Sequence, residues 1–243
     1  MINEPISLTF DGFQEAWLNV VRLLVQSQWE VRNLVVQIRK PALLDQHLHE
    51  RIAAFAESEE LLGPKHVAYT IFPHKLYEVK GTATDLFTAY NRPGGLYERL
   101  HHRKHGWGTY FRRMTNYDGA HGKINQLETI IAAIRTRDNI SRAAYTVVIQ
   151  KPGGETVRPL GGPCLNYIAV QLESGQPMVL GVLAVYRNHD FLEKAYGNYW
   201  GLCNLLAFIT REVGALPGPL TCVSSRAYVS GRKTAVKALV EGL

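Results

Sequence analysis

The sequence predicts an α+β fold in a single domain over residues 1–243, with a mixed β-sheet packed on a long buried helix. Three observations carry that expectation. The first half alternates helical and strand-like spacing. The second half holds three successive strand-like runs, residues 143–150, 166–173 and 178–186, separated by the turn signals Gly153-Gly154 and Ser174-Gly175. Residues 193–213 are apolar almost all round, through Trp200, Leu202, Leu205, Leu206, Phe208 and Ile209, which is the pattern of a central, buried helix.

The elements follow in order. Phe13, Trp17, Val20, Val21 and Leu24 recur at helical spacing and predict a helix over about residues 11–27. Val31 to Ile38 is β-branched and apolar and reads as a strand ended by Pro41. Residues 43–58 read as a second helix. Tyr69 to Val79 stays open, because Pro73 interrupts it. Ile124, Leu127, Ile130, Ile131 and Ile134 define an amphipathic helix over residues 122–136. After the long helix, which Gly214 and Pro217 stop, Leu220 to Tyr228 is a last strand before a short helix. No linker is long enough to divide the chain into separate domains.

Composition narrows the class. Hydrophobic residues at 46% and charged residues at 20% exclude intrinsic disorder and a coiled coil. No apolar run reaches the roughly 18 residues that would span a bilayer. Met1 to Pro5 lack a basic stretch followed by an apolar one, so the expectation is a cytoplasmic protein without a membrane partner. The net charge of +6 favours anionic ligands without choosing among them. The densest basic stretch, Arg99 to His105, contains no recognised nucleic-acid motif, so nucleic acid is not the expected partner. The cysteines, Cys164, Cys203 and Cys222, are odd in number and widely spaced. They make neither a disulfide framework nor a C-x-x-C zinc pair, and no metal is expected.

Four residue types suggest a nucleotide pocket. Cys164 follows Gly161-Gly162-Pro163 at the mouth of a strand, where a sharp turn can face a sulfur into a cleft. A thiol attacks as thiolate and needs positive charge nearby. Arg187, at the end of another strand, offers a planar, always-charged fork suited to phosphate. Asn198 presents a donor and an acceptor together, which matches the edge of a base such as uracil. Tyr228 can give a hydroxyl to a sugar.

In order and spacing these residues resemble the thymidylate synthase and pyrimidine nucleotide hydroxymethylase superfamily. Pro163-Cys164 matches its nucleophile segment. Arg187 with Asp190 matches its Gln-Arg-Ser-x-Asp stretch, Asn198 lies eight residues beyond that Asp, and Tyr228 ends a later strand like the family's His-x-Tyr. Trp107-Gly108-Thr109-Tyr110 looks like its Tyr-Gly-x-x-Trp segment, and Asp138 to Arg142 like its Asp-Pro-x-Ser-Arg-Arg turn. The resemblance covers roughly residues 11–236. It implies a thymidylate synthase-like domain in which Cys164 adds to C6 of a pyrimidine mononucleotide. C5 then takes a one-carbon unit from 5,10-methylenetetrahydrofolate. By the same resemblance Arg187 binds phosphate and favours the thiolate, Asn198 reads the base, and Asp190, with Trp107 nearby, holds the folate. Arg142 reaches the phosphate of a neighbouring subunit, because family members are homodimers, and Arg32 is a further phosphate ligand.

The pattern also departs from the family. Leu165 stands where a His usually follows the nucleophile, Tyr186 replaces the Gln, Asn188 the Ser, Arg226 the sugar-binding His, and Ala143 the second arginine. The general-base Glu has no direct counterpart. Counting back from Gly81 lands on His74, with Glu78 a helical turn later. The segment that closes over folate is expected to be short or missing. Two functions therefore remain open. One is a C5 methyl- or hydroxymethyltransferase on an altered pyrimidine nucleotide, such as a ribonucleotide. The other is a folate-independent homologue that binds the nucleotide as a subunit or catalyses another reaction such as base release.

Overall fold

The structure is a computed structural model and describes residues 4–94, 108–136, 145–151, 162–173 and 175–243. It is α+β, with a mixed sheet. The strands are β1 (Ile6–Phe10), β2 (Glu30–Ile38), β5 (Tyr145–Val148), β6 (Leu165–Glu173), β7 (Val179–Tyr186), the short β8 (His189–Asp190) and the long β9 (Leu216–Tyr228). They lie in the order β1-β2-β9-β7-β6-β5, with β8 beside the end of β9. β1 runs parallel to β2 and β7 parallel to β9, whereas β2–β9, β6–β7 and β5–β6 are antiparallel. A two-stranded hairpin, β3 (Tyr117–Gly119) with β4 (Gly122–Ile124), stands apart.

The helices are α1 (Phe13–Gln26), α2 (Gln46–Ser58), α3 (Pro64–Ile71), α4 (His74–Lys80), α5 (Ala83–Asn91), α6 (Tyr110–Thr115), α7 (Gln126–Thr136), α8 (Ala195–Val213) and α9 (Lys233–Glu241). α8 is the predicted long helix, buried through Tyr199, Leu202, Leu205, Leu206 and Ile209 and ended by Gly214 in the left-handed conformation. α3 packs closely on it. A Cβ on Gly197 would sit 2.5 Å from Val67 Cβ, and one on Gly201 would sit 2.8 Å from the Ala68 carbonyl oxygen. Only glycine lets the two backbones come this near.

Several predicted bounds shift for physical reasons. The open stretch 69–79 is helix on both sides of a break at Phe72-Pro73, because proline cannot continue α3 but can begin α4. The predicted helix 122–136 yields its first residues to β4 and begins at Gln126. α2 begins at Gln46, where the Asp45 side chain accepts from the Leu48 amide as a cap. β9 starts earlier than the apolar run suggested, and β1 went unread because it is a short strand whose polar Ser7 and Thr9 are exposed. No described helix is long and apolar enough to cross a membrane.

Alternate strand positions divide the sheet into two faces. Leu34, Val36, Cys222, Ala184 and Ile168 are buried in the core shared with the helices. On the other face, Val35, Val223, Val185 and Tyr167 stand in register across four strands and stay half-buried.

Candidate active site

A cavity of about 650 Å³ opens where β6 begins and β7, β8 and β9 end, beside the first turn of α8 and the α2–α3 connection. Cys164 is in its wall, half-buried. Two neighbours hold its peptide. The Arg187 amide donates to the Cys164 carbonyl at 2.9 Å, and Arg187 Nε donates to the Pro163 carbonyl at 3.1 Å. On the other side the Tyr110 hydroxyl accepts from the amides of Cys164 (3.3 Å) and Leu165 (3.4 Å). Gly162, at φ +77°, makes the turn, and the Arg187 guanidinium lies 3.8 Å from where its Cβ would be.

The electrostatics of the thiol differ from the expectation of a ready thiolate. Burial pushes the Cys164 pKa up. The Arg187 and Lys194 cations oppose that push, and the Asp190 carboxylate adds to it. Cys203 and Cys222 are wholly buried, their thiols raised further by the same cause, and act as small core hydrophobes.

The base-reading and sugar-reading candidates meet on the same wall. Asn198 is not a helix cap. It lies inside the first turn of α8, donates its amide to the Lys194 carbonyl at 2.9 Å, and is 3% exposed. Its Nδ2 is 3.1 Å from Nε2 of His189. Asn188 donates from Nδ2 to the Tyr228 hydroxyl (3.4 Å) and accepts at Oδ1 from Arg226 Nη1 (3.3 Å). Arg226 lies 4.2 Å over the Tyr228 ring and is tied to the Glu30 carboxylate at 2.6 Å. It therefore backs Asn188 and Tyr228 and is not itself in the cavity wall. Asp190 lines the cavity and accepts from the Leu192 amide at 3.0 Å.

The structure brings together Cys164, Asn188, Asp190, Asn198 and Tyr228, with Arg187 beside them. It places other candidates elsewhere. His74 and Glu78 pair with each other at 3.1 Å on the exposed side of α4, and neither lines the cavity. Pro73 is the reason: it starts a new helix that buries Tyr77 and turns these two residues outward. Arg32 is exposed, 3.5 Å from Glu30, and also outside the wall. Trp107, Arg142 and the basic stretch 99–105 lie outside the described residues.

The wall also contains residues the sequence did not single out: Glu60, Thr70, His189, Glu193 and Lys194. Glu60 reaches it from a left-handed position between α2 and α3 (φ +55°), which no sequence pattern signals. Tyr110, also in the wall, belongs to the Trp107–Tyr110 motif but carried no role in the sequence reading. Among the described residues no group of three His, Cys, Asp or Glu side chains could hold a metal ion.

Comparison with known proteins points the same way. The relatives it matches are thymidylate synthases by name. Proteins of Methanosarcina barkeri and Methanococcoides burtonii, each called "Putative thymidylate synthase", are 28% identical to this chain over 121 residues, which is 50% of this chain and 52% of the relative. One of Methanocaldococcus jannaschii with the same name is 30% identical over 124 residues, 49% of this chain and 54% of the relative. The chain thus spans about half the length of the curated relatives it matches. No family model matches it. The similarity agrees with the resemblance carried by the motifs and with the α+β fold, and over about half its length the chain is similar to proteins of that name.

Proposed function

We propose that the cavity binds a pyrimidine mononucleotide and that the chain transfers a one-carbon unit to C5 of its base, with Cys164 as the nucleophile at C6. The observation that carries this reading is convergence. A thiol, a buried amide, a carboxylate and a phenol from separate elements line one cavity, with a guanidinium at the thiol's turn. The relatives' name supports the same class of transferase.

The chemistry assigned to each residue follows from its place. Cys164 loses its proton and adds to C6, and the ring electrons move onto the C4 oxygen. Asn198 hydrogen-bonds that edge of the base. Arg187, exposed at the mouth, takes the phosphate and favours the thiolate. Tyr228, steadied by Asn188 and Arg226, faces the sugar, and the Arg226 charge behind it suits an altered sugar such as ribose. The carboxylates in the wall, Glu60 and Glu193, replace His74 and Glu78 as candidates to move the C5 proton. Breaking the C5–H bond then returns electrons to the ring and expels the Cys164 sulfur.

A volume of about 650 Å³ lies within the usual range for small-molecule sites and leaves room beside a nucleotide. Asp190 is the carboxylate that would hold the pterin edge of a folate there, so the donor set fits methylenetetrahydrofolate. When bound, that cofactor supplies the one-carbon unit. The half-buried apolar face of the sheet supports a homodimer joined through Val35, Val223, Val185 and Tyr167. One observation favours a second reading, a folate-independent nucleotide-binding homologue that catalyses another reaction such as base release: burial raises the Cys164 pKa instead of lowering it.

Intact-mass analysis with the 5-fluoro analogues of UMP, dUMP and CMP, with and without methylenetetrahydrofolate, tests these readings. A folate-dependent adduct that disappears in Cys164→Ala supports the transferase. Nucleotide binding without an adduct supports the second reading, and no binding overturns both.

A further inference from the structure

Tyr228 stands in the cavity wall at the end of a chain of polar side chains that begins in an ion pair outside it. Glu30 opens β2, and Arg226 lies two residues before Tyr228 on β9, so Arg226 and Tyr228 leave the strand on the same side. Glu30 Oε2 accepts from Arg226 Nε at 2.8 Å and lies 2.6 Å from Nη2. Arg226 Nη1 donates to Asn188 Oδ1 at 3.3 Å, and Asn188 Nδ2 donates to the Tyr228 hydroxyl at 3.4 Å. The guanidinium also lies 4.2 Å over the Tyr228 ring, so the chain folds back on itself and holds its two ends together.

The ion pair sets the direction of every bond in the chain. A carboxylate only accepts and a guanidinium only donates. The Arg226 guanidinium holds the Glu30 carboxyl below the usual carboxylate range, so the pair stays ionised at neutral pH. Arg226 therefore fixes the Asn188 amide with its oxygen toward the guanidinium. Turning the amide over would set its NH2 group against a guanidinium N–H. The amide nitrogen, which cannot accept, is left to face Tyr228, and the phenol oxygen is the acceptor in that bond.

A phenolic hydroxyl has one proton to give. With Asn188 donating to its oxygen, that proton is turned away from Asn188, and among the described residues it has no acceptor. Asn188 and Tyr228 both line the cavity, so a bound ligand can supply one. An unheld phenol could offer either its proton or its lone pair to a sugar oxygen. This one offers its proton.

We infer that Asn188 is a positioning residue, locked by Arg226 and Glu30, that makes Tyr228 a hydrogen-bond donor to the sugar, so that the cavity selects nucleotides whose sugar carries an acceptor at that position. This rests on the nucleotide-binding reading above. It adds a direction to that reading: the phenol gives its proton and the sugar substituent receives it. Asn188 and Arg226 both depart from the family pattern, so the direction is set by residues particular to this chain.

The test uses UMP and its analogues with fluorine or hydrogen in place of the 2′- or the 3′-hydroxyl, bound to wild type and variants by titration calorimetry. Fluorine accepts weakly and never donates, and hydrogen does neither. The readout is the ratio of fluoro to deoxy affinity at each position. In Asn188→Asp the carboxylate accepts from both Arg226 and Tyr228, so the phenol turns its proton inward and its lone pair toward the cavity. At one position the ratio should fall by about three- to tenfold from wild type to Asn188→Asp, the size of one hydrogen bond reversed. The added negative charge acts on both analogues alike and cancels in the ratio, and so does a merely structural loss. Tyr228→Phe should lower the ratio at the same position, and adding Asn188→Asp to it should change nothing more. Ratios that are the same in wild type and Asn188→Asp at both positions overturn the inference while the nucleotide reading stands. A further fall in the Tyr228→Phe background also overturns it, because the effect then lies outside the phenol. Tyr228→Phe alone needs no change at Asn188, and a ratio that rises or stays level there overturns the inference too. Binding of neither UMP nor any analogue overturns the nucleotide reading and the selection built on it.

Discussion

Replacing Gly201 by alanine should destabilise the protein, although alanine is the better helix former. Gly201 faces α3 from the middle of α8. An added Cβ would lie 2.8 Å from the Ala68 carbonyl oxygen, 2.9 Å from Ile71 Cβ and 3.1 Å from Ala68 Cα. None of these atoms is the far end of a flexible side chain, so α3 itself must move. Overpacking of this kind costs about 1–3 kcal/mol, and the gain in helix propensity returns at most about 1. A net loss of roughly 1–2 kcal/mol lowers the melting temperature of a chain this size by about 2–8 °C. Gly197→Ala should cost more, because its Cβ would be only 2.5 Å from Val67 Cβ. The displaced α3 carries Val67 and Thr70 in the cavity wall, so nucleotide affinity should fall with stability. Gly231→Ala is the control, since nothing lies within 4 Å of its Cβ position. Calorimetric melting of all three variants measures the effect. A Gly201→Ala protein as stable as the wild type or more so would refute the close approach of the two helices.

Three further outcomes are expected. His189 has its folded pKa pushed down to about 3 from 6.5, so the unfolded chain takes up its proton first. The stability this residue contributes is complete above pH 6.5 and is lost as pH falls from there toward 3. Urea midpoints at pH 7.5 and 5 should therefore diverge in the wild type and converge in His189→Phe; an equal divergence in both would refute it. The raised Cys164 pKa should make alkylation by iodoacetamide slow at pH 7–8, and Arg187→Ala should slow it further by removing the opposing cation, whereas faster labelling in that variant contradicts the assignment. Val185→Asp, at the centre of the half-buried sheet face, should give monomers in light scattering if the wild type is a dimer through that face. A variant that stays dimeric places the interface elsewhere.

What was legible in the sequence follows the range of the forces involved. α1 and α8 were readable because a helix that buries one face or all faces repeats its apolar residues every turn. Most strands of the second half were readable for the same reason at a period of two. Pro73 announced a break, but only packing could show that helix continues on both sides of it, and that break turned His74 and Glu78 away from the cavity. The cavity's wall was half legible. Cys164, Asp190, Asn198 and Tyr228 sit at strand or helix ends whose order carries a pattern. Glu60, Thr70 and Lys194 reach the same space through tertiary folding alone. His189 stood in view beside Asn188 and Asp190, yet its partners Asn198 and Ser224 are 9 and 35 positions away.

The departures from the family pattern become more informative once their positions are known, because they touch one another. Leu165 and Tyr186 are Cα partners across β6 and β7, and both are 0% exposed. Where the pattern has a His and a Gln, this chain has a buried leucine and tyrosine, and the Tyr186 ring is the platform on which His189 stacks. Asn188 and Arg226 are the other two departures described in the structure, and they share a hydrogen bond at 3.3 Å beside Tyr228. A site that had merely lost its function would accumulate changes without regard to contact. Here the changes fall in two adjoining pairs, one beneath the His189 ring that meets Asn198 and the other placing a charge over Tyr228. Cys164, Asp190 and Asn198 remain around the same cavity between them. For the nucleotide site proposed above, that arrangement favours a working pocket over one left to decay.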